Sequence, residues 1–278
     1  MKNSVKTIQF IKMHGLGNDY IYVDCFAPVT ADIIAHTELS SLAQQLSDRH
    51  FGIGSDGLVL ILPSNEADTR MRIFNADGSE AQMCGNAIRC VGKYLYESGL
   101  CHRTRLFIET IAGIKILTLQ LQDGLVSQVS VNMGSPKVTT DSLALQGNDL
   151  WGFSSVNMGN PHAVFFRAQN LLDAEIAKMG RLISTHPYFP EGTNVEFVHV
   201  RNPHELEVRV YERGSGPTLA CGTGACAAAV AAYKHGETEA EMTVHLPGGD
   251  LLVHYDHRTN KVTLTGPATE VFRGEYSL

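Results

Sequence analysis

The sequence predicts an α/β (α+β) fold of two pseudo-symmetric halves, each a curved, mostly antiparallel sheet or barrel around a central helix. Two observations lead to this fold class. Short apolar segments separated by glycine-containing turns recur along the chain, as is typical of strands. Five motifs of the first half also recur in the same order, 132 to 142 residues further along. Collinear repeats at a nearly constant spacing indicate the duplication of one α/β unit.

Length and composition are those of a soluble globular protein. The 278 residues suffice for one large domain or two of ordinary size, and 44% of them are apolar and 18% charged. The net charge is −7 and the basic residues are scattered, which argues against nucleic acid or a membrane surface as partner. No apolar run approaches the roughly 20 residues that span a bilayer, and the N-terminal segment lacks a signal-peptide core. We therefore expect a cytoplasmic protein.

The six cysteines are too sparse for a disulfide scaffold and form no C-x-x-C pair. We expect them to be thiols in a reducing cytosol. The histidines lack metal-ligand spacing, so the sequence predicts no metal site. The cysteines are Cys25, Cys84, Cys90, Cys101, Cys221 and Cys226.

Apolar periodicity assigns the elements of the first half in order. A glycine-punctuated loop, 13–20, lies between the first two strands, and a tight loop, 51–57, leads into the third. Turns at Ala112-Gly113 and Asp123-Gly124 divide the last strands. The strands are predicted over 8–12, 21–24, 58–62, 71–74, 105–120 and 125–133, and a helix over 38–48.

Cys84 is predicted to begin the central helix of this half. Apolar residues follow it at helical spacing up to Gly99, which is a natural helix stop. A helix N-terminus favours a thiolate, and its N–H groups can bind an anion such as a carboxylate. The alternative interpretation is that Cys84 is a small buried residue in the turn before the helix.

The second half repeats this plan. Its central helix is predicted over 222–235 and is rich in alanine, and small residues allow a helix to lie close inside a surrounding sheet. The polar, turn-rich segment 137–150 is typical of a linker between the halves. The matched motifs are Gly17-Asn18 with Gly159-Asn160, Gly54 with Gly192, Arg72 with Arg209, Cys84 with Cys221, and Gly134 with Gly266.

The repeat places Cys84 and Cys221 at equivalent positions, each at the start of a helix. If the halves face each other, two thiols lie on opposite sides of one substrate. One, as thiolate, removes a proton from a carbon, and the other, as thiol, returns one on the opposite face. The product is the inverted stereocentre. The helix N–H groups would hold a carboxylate and stabilise the carbanion, which points to an amino-acid substrate.

The remaining candidates lie on the repeated loops. Glu212-Arg213 offers an acceptor for an ammonium group and a bidentate partner for a carboxylate. His162 is the one histidine that we place near the site. The alternative interpretation is that the asparagines are turn residues and that Glu212 and Arg213 form a solvated surface pair. We interpret Cys25, Cys90, Cys101 and Cys226 as packing residues. The asparagine candidates are Asn18, Asn75, Asn160 and Asn194.

These motifs resemble those of the diaminopimelate epimerase family over essentially the full length of the chain. Members of that family interconvert L,L- and meso-diaminopimelate without a cofactor, for lysine and peptidoglycan synthesis. The resemblance rests on Lys12-Met-His-Gly-Leu-Gly-Asn-Asp-Tyr20, Arg72-Ile-Phe-Asn-Ala-Asp-Gly-Ser-Glu80, Met83-Cys-Gly-Asn86, Gly159-Asn-Pro-His162, Gly192-Thr-Asn194, Glu212-Arg-Gly214 and Ala220-Cys-Gly-Thr-Gly-Ala-Cys226.

The resemblance implies the diaminopimelate epimerase-like fold, with Cys84 and Cys221 as the two bases and His162 as possible support. It implies a cytoplasmic homodimer that needs no cofactor. Gly57 stands where many members carry a glutamine that reaches the site, so one contact is expected to be missing or supplied otherwise. The implied substrate contacts are Asn18, Asn75, Asn160, Asn194, Glu212 and Arg213, with backbone groups of Gly85, Asn86, Gly222 and Thr223 at the reacting carboxylate.

The resemblance also moves the domain boundary upstream of the linker, because the last strand of each half crosses to the other domain in that family. The implied domains are 1–124 with 268–278, and 125–267. The alternative within the same fold is an isomerase like proline racemase or 4-hydroxyproline epimerase. The alternative of a different class is a small-molecule binding protein or a redox switch that joins Cys84 to Cys221.

Overall fold

The computed structural model describes residues 6–145, 150–169 and 171–278. Two sequence predictions concern residues outside the described part. They are the absence of a signal-peptide core, for residues 1–5, and the linker, for residues 146–149. Among the described residues, no helix is long and apolar enough to cross a membrane.

Strands dominate the described part of the chain, and five helices lie among them. The first elements are β1 (Thr7–Gly15), β2 (Asn18–Asp24), α1 (Pro28–Ala35), α2 (Leu39–Ser47), β3 (Gly57–Leu62), β4 (Thr69–Asn75), β5 (Glu80–Ala81), α3 (Gly85–Glu97), β6 (Arg105–Glu109), β7 (Lys115–Gln122) and β8 (Leu125–Gly134). They are followed by β9 (Lys137–Ala144), β10 (Leu150–Asn157), β11 (Pro161–Phe166), α4 (Asp173–Ser184), β12 (Asn194–Asn202), β13 (Glu205–Glu212), β14 (Gly216–Thr218), α5 (Gly222–Lys234), β15 (Glu241–Leu246), β16 (Gly249–Asp256), β17 (Lys261–Gly266) and β18 (Thr269–Ser277).

The chain forms two compact units, Met1–Val131 with Pro267–Leu278, and Asn132–Gly266. The chain passes from the first unit to the second within β8. The boundary after residue 124 that the resemblance implied lies at the turn before that strand, and the domain limits of 1–124 with 268–278, and 125–267, stay a prediction.

In the first unit the strands pair in the order β18-β1-β2-β3-β4-β6-β7-β8. The β2–β3 and β4–β6 pairs are parallel and the other pairs in this order are antiparallel. The short strand β5 adds to β4 and delivers the chain to α3.

In the second unit the order is β9-β10-β11-β12-β13-β15-β16-β17, with parallel pairs at β11–β12 and β13–β15. Strand for strand, this is the order and direction of the first unit. The first strand in each of these orders is β18 or β9. In sequence, β18 directly follows β17 of the second unit, and β9 directly follows β8 of the first unit. The predicted duplication and the predicted fold class are therefore confirmed.

Each unit has one buried helix against its sheet. Helix α3 contacts β1, β2 and β7, and α5 contacts strands from β10 to β17. Gly92 permits the close approach of α3, since a Cβ there would lie 2.7 Å from Cδ2 of Leu117. In α5 the alanines from Ala227 to Ala232 are fully buried, as the predicted close packing inside a sheet requires.

Two local predictions were wrong, and two helices were missed. The loop 13–20 is only a two-residue turn, because β1 continues to Gly15 and β2 begins at Asn18. The linker 137–150 contains β9 and the start of β10, which pair from Lys137 opposite Asn157. β9 is polar because it is the outermost strand in its unit and most of its side chains are exposed. Helices α1 and α4 were not predicted.

Candidate active site

Cys84 lies at the start of α3, as predicted. Its backbone is extended, and the helix begins at Gly85. The half-buried thiol donates to Oδ1 of Asn18 over 3.5 Å. The structure therefore brings one predicted asparagine to the predicted thiol, within one unit.

The amide of Asn18 is held from both ends. Its Nδ2 donates to the carboxylate of Asp56 at 2.8 Å, and its Oδ1 accepts from Nδ2 of Asn86 at 3.1 Å. Oδ1 of Asn86 in turn accepts from the guanidinium of Arg89, which is fully buried. These partners leave Asn18 with a defined orientation, its oxygen toward Cys84.

Four charged side chains support this amide. Arg49 bridges the carboxylates of Asp19 and Asp56 at 2.8 and 3.0 Å, and Lys12 pairs with Asp19. Burial alone would raise the pKa of Asp19, but hydrogen bonds from Arg49 and Lys12 lower it below its usual value. Asp56 and Arg49 were not predicted. The signal for Asp56 is its place at the polar end of the tight loop 51–57, which precedes an apolar strand, and Arg49 lies just before that loop.

Asn75 and Gly57 lie opposite each other on β4 and β3. The amide of Asn75 donates to Oγ of Ser79 at 3.0 Å across a turn, as the turn interpretation predicts. A Cβ on Gly57 would lie 2.1 Å from the carbonyl oxygen of Phe74, so this backbone has no room for a side chain there. The resemblance implies that a glutamine contact is missing at this position or is supplied by another residue, and this stays a prediction.

Cys221 has the same place at the start of α5. Its Sγ accepts from the backbone N–H of Gly224 at 3.3 Å and lies 3.5 Å from the hydroxyl of Thr223. Cys221 is buried, with 6% of its surface exposed, whereas Cys84 is half-buried. Burial raises the pKa of this thiol well above its usual range, and the charges of Glu212 and Glu196 raise it further.

Glu212 ends β13 and contacts this thiol. Its carboxylate accepts from the hydroxyl of Thr218 at 2.6 Å and shares a hydrogen bond with Cys221. Burial raises its pKa, hydrogen bonds from Thr218 and Cys221 oppose that rise, and the charge of Glu196 adds to it. Glu212 is thus a half-buried group beside sulfur rather than half of a surface ion pair.

A run of hydrogen bonds ends at Cys221. His162 has Nδ1 2.7 Å from Oε1 of Glu196 and Nε2 3.0 Å from Oδ1 of Asn160. The Nδ2 of Asn160 donates to Oγ1 of Thr223 at 3.2 Å. Three predicted residues are thereby connected to the thiol. Glu196 was missed, although an acid within the apolar run 195–198 was a signal for it.

Asn194 holds the loop that carries Arg213. Its Oδ1 accepts from the backbone N–H of Arg213 at 3.0 Å, and its Nδ2 donates to the carbonyl of Pro161 at 2.9 Å. The exposed guanidinium of Arg213 donates to the carbonyl of Glu191 and lines a cavity of about 600 Å³ together with Tyr211. Asn194 therefore positions the backbone of the loop at Arg213. The guanidinium of Arg213 has further N–H donors available toward the cavity.

None of the six cysteines forms a disulfide. Burial raises the pKa of Cys25 to about 12 and that of Cys90 to about 11, so both stay protonated near neutral pH, as packing residues would. Among the described residues, no cluster of histidine, cysteine or acidic side chains could hold a metal ion.

Solved structures share this fold. One is a hydroxyproline epimerase from Agrobacterium vitis with bound trans-4-hydroxy-L-proline, at a TM-score of 0.73 and 18% identity over 98% of this chain and 93% of that one. Another is a PhzF-family phenazine biosynthesis protein from Bacillus anthracis, at a TM-score of 0.74 and 17% identity over 98% and 100%. At this identity the likeness concerns the fold alone.

Sequence relatives are much closer. A diaminopimelate epimerase from Acetivibrio thermocellus is 47% identical over 98% of this chain and 99% of its own length. One from Pelotomaculum thermopropionicum is 48% identical over 97% and 99%. The model of the diaminopimelate epimerase family matches residues 10–139 and 154–271. With the duplicated fold and a cysteine at the start of each central helix, this match places the chain in the diaminopimelate epimerase family.

Proposed function

We propose that this protein interconverts L,L- and meso-diaminopimelate by proton transfer at one α-carbon, without a cofactor. Family membership makes it an isomerase and supports this substrate. The observation that carries the proposal is the pair of cysteines, Cys84 and Cys221, each at the N-terminus of the buried helix of its unit. The reaction serves the synthesis of lysine.

The two thiols act as base and acid in one inversion. A thiolate takes the α-proton, so the C–H bond breaks, an S–H bond forms and the electron pair stays on carbon. The other thiol then gives its proton to the opposite face of the carbanion and becomes the thiolate. This mechanism requires both sulfur atoms to reach the same carbon in the substrate complex.

The helix N-termini stabilise the charge that develops. As the proton leaves, negative charge spreads into the substrate carboxylate. Backbone groups at the first turns of α3 and α5, at Gly85, Asn86, Gly222 and Thr223, supply donors and the positive ends of two helix dipoles. Because these donors are fixed before reaction, they favour the carbanion more than the substrate.

The surroundings of the two thiols differ. Cys221 is buried beside two carboxylates, and its pKa is raised well above the usual value. Cys84 is half-buried and contacts an amide oxygen. Because burial and two carboxylates disfavour the thiolate of Cys221, we assign Cys221 as the acid and Cys84 as the first base. The Cys84 thiol must release the proton that it donates to Asn18 before it acts.

The amino-acid groups of the substrate find partners of matching charge. Glu212 accepts a hydrogen bond from an ammonium group of the substrate. Arg213, in the wall of its cavity, binds the carboxylate of the amino-acid group that does not react. Asn18 and Asn160 contribute direct contacts beside the thiols. Asn75 and Asn194 complete the set of proposed substrate-binding asparagines.

The deciding experiment is exchange at the α-carbon. The reduced protein is incubated with L,L-diaminopimelate in deuterated water, and α-deuterium and meso product are followed by NMR and chiral chromatography. We expect both to appear, and Cys84→Ala or Cys221→Ala to abolish turnover while Cys90→Ala retains it. An active Cys221→Ala protein would contradict the two-base mechanism.

The same assay tests the alternatives. Exchange with proline or 4-hydroxyproline, but none with diaminopimelate, would favour an isomerase like the hydroxyproline epimerase that shares the fold. Loss of activity on oxidation, restored by a thiol reductant, would make a Cys84–Cys221 disulfide an inactivation route. A homodimer in the cytoplasm is part of the proposal, and sedimentation velocity with cell fractionation tests it.

A further inference from the structure

We propose that Glu196 is a positioning residue for Cys221, acting through a directed chain of hydrogen bonds that runs over His162, Asn160 and Thr223. The proposal rests on the function above, in which Cys221 is one of the two bases. Glu196 itself touches neither the substrate nor the sulfur in this scheme.

Glu196 is an unusual group in its place. It is fully buried on β12, between apolar neighbours, and its Oε2 has no hydrogen-bond partner in the described part of the chain. A buried carboxylate that is only half satisfied costs stability, so its presence calls for a role other than holding the fold together. Gly224 makes room for it, since a Cβ there would lie 2.7 Å from Oε1.

The partners define the direction of each hydrogen bond. Oε1 of Glu196 and Oδ1 of Asn160 are both acceptors, at 2.7 and 3.0 Å from the two ring nitrogens of His162. With Glu196 as a carboxylate, this arrangement uses both ring nitrogens as donors, so we take the ring as an imidazolium paired with the carboxylate. Asn160 is held with its oxygen toward the ring and its Nδ2 toward Thr223.

The last link concerns the hydroxyl of Thr223. Because its oxygen accepts from Asn160, its own proton is available for Cys221 Sγ, 3.5 Å away. A donor there stabilises the thiolate that Cys221 becomes in one direction and starts from in the other. It thereby offsets the direct charge of Glu196, which disfavours that thiolate. Without the carboxylate, the ring of His162 is neutral and accepts a hydrogen bond from the amide nitrogen of Asn160. The Asn160 amide must then turn over, so that its oxygen faces Thr223. The Thr223 hydroxyl then donates to that oxygen instead of to the sulfur.

Glu196→Gln tests the charge at constant size. We expect kcat to fall about 10- to 100-fold, as for loss of a hydrogen bond to a charged group, with KM changed less than twofold. Thr223→Val should cause a similar loss and Thr223→Ser should retain most activity. In the Thr223→Val background, Glu196→Gln should have little further effect, because the hydroxyl it acts through is gone.

The matched control is Asp250→Asn. Asp250 holds Nδ1 of His245 at the same 2.7 Å on an exposed hairpin, and this variant should retain kcat within twofold. Nitrogen-15 NMR of the histidine-labelled enzyme gives a readout independent of activity. The signals lost in His162→Gln should show two protonated nitrogens in the parent and one in Glu196→Gln.

Two results would overturn the proposal. One is a kcat of Glu196→Gln within twofold of the parent. The other is that Glu196→Gln lowers kcat by the same factor in the Thr223→Val background as in the parent. If Glu196→Gln fails to fold, equal activities of Thr223→Ser and Thr223→Val, or a singly protonated His162 in the parent, overturn it as well. Failure of the proposed function looks different, because the parent enzyme would then not exchange the α-proton of diaminopimelate.

Discussion

Asp56 accepts a hydrogen bond from Nδ2 of Asn18 at 2.8 Å, and this contact determines which end of the amide faces Cys84. A carboxylate can only accept, so the nitrogen of Asn18 must point to Asp56 and its oxygen toward the thiol. The same carboxylate accepts from the backbone N–H of Asp19 and pairs with Arg49.

We predict that Asp56→Asn lowers kcat/KM of the epimerase about tenfold or more. An asparagine at 56 has nearly the same shape, but it weakens a charge-assisted hydrogen bond and permits the Asn18 amide to turn over. Steady-state kinetics measures the effect. Asp256→Asn, which alters a carboxylate contact in an exposed turn of the second unit, should leave kcat/KM unchanged. Equal kinetics of the two variants would remove Asp56 from the site.

The raised pKa of Cys221 predicts that alkylation of this thiol is slow and depends on pH. A raised pKa means that the thiolate fraction at a given pH is smaller, so labelling by iodoacetamide should be slow at pH 8 and still rise above pH 9. Glu212→Gln removes a negative charge beside the sulfur, lowers the pKa and should speed labelling at pH 8. Mass spectrometry of the Cys221 peptide gives the rates, with the denatured protein as reference. Slower labelling in Glu212→Gln would contradict this sign.

Arg213→Lys should raise KM for diaminopimelate about tenfold or more and change kcat little. The guanidinium lines the cavity and can bind a carboxylate through two parallel hydrogen bonds, which an ammonium group cannot reproduce. Arg201→Lys is the control, since Arg201 pairs with Glu207 on an exposed strand end. An unchanged KM would exclude Arg213 as the contact to the distant carboxylate.

The positions of the two thiols were predictable because they depend on local signals. A cysteine before a glycine and an apolar helical pattern predicts a helix start, and the repeat assigned Cys221 as the partner of Cys84. The internal repeat also predicted the duplicated fold, since the order of motifs is kept when strands and helices keep their order.

The supporting groups were harder to predict because their contacts join distant parts of the chain. Glu196 meets His162 only because β11 and β12 pair in parallel, and an apolar run gives no sign of what a buried acid will contact. The sequence predicts a linker where β9 lies, because an outermost strand with exposed side chains has the composition of a loop. Helix α4 contains a glycine at its packing face, which weakened its helical pattern.

That glycine, Gly180, lies against the side chain of Tyr211. Alanine usually favours a helix interior over glycine by about 1 kcal/mol, but a Cβ at Gly180 would lie 2.4 Å from Cβ and Cγ of Tyr211 on β13. Overpacking of this kind costs about 1–3 kcal/mol, so Gly180→Ala should lower the melting temperature rather than raise it. Gly152→Ala is the control, because a Cβ there meets no atom within 4 Å. Since Tyr211 directly precedes Glu212 and Arg213, displacement of its ring should also raise KM for diaminopimelate. A variant with a higher melting temperature and an unchanged KM would show that α4 and β13 separate without cost, and that their contact does not position these two residues.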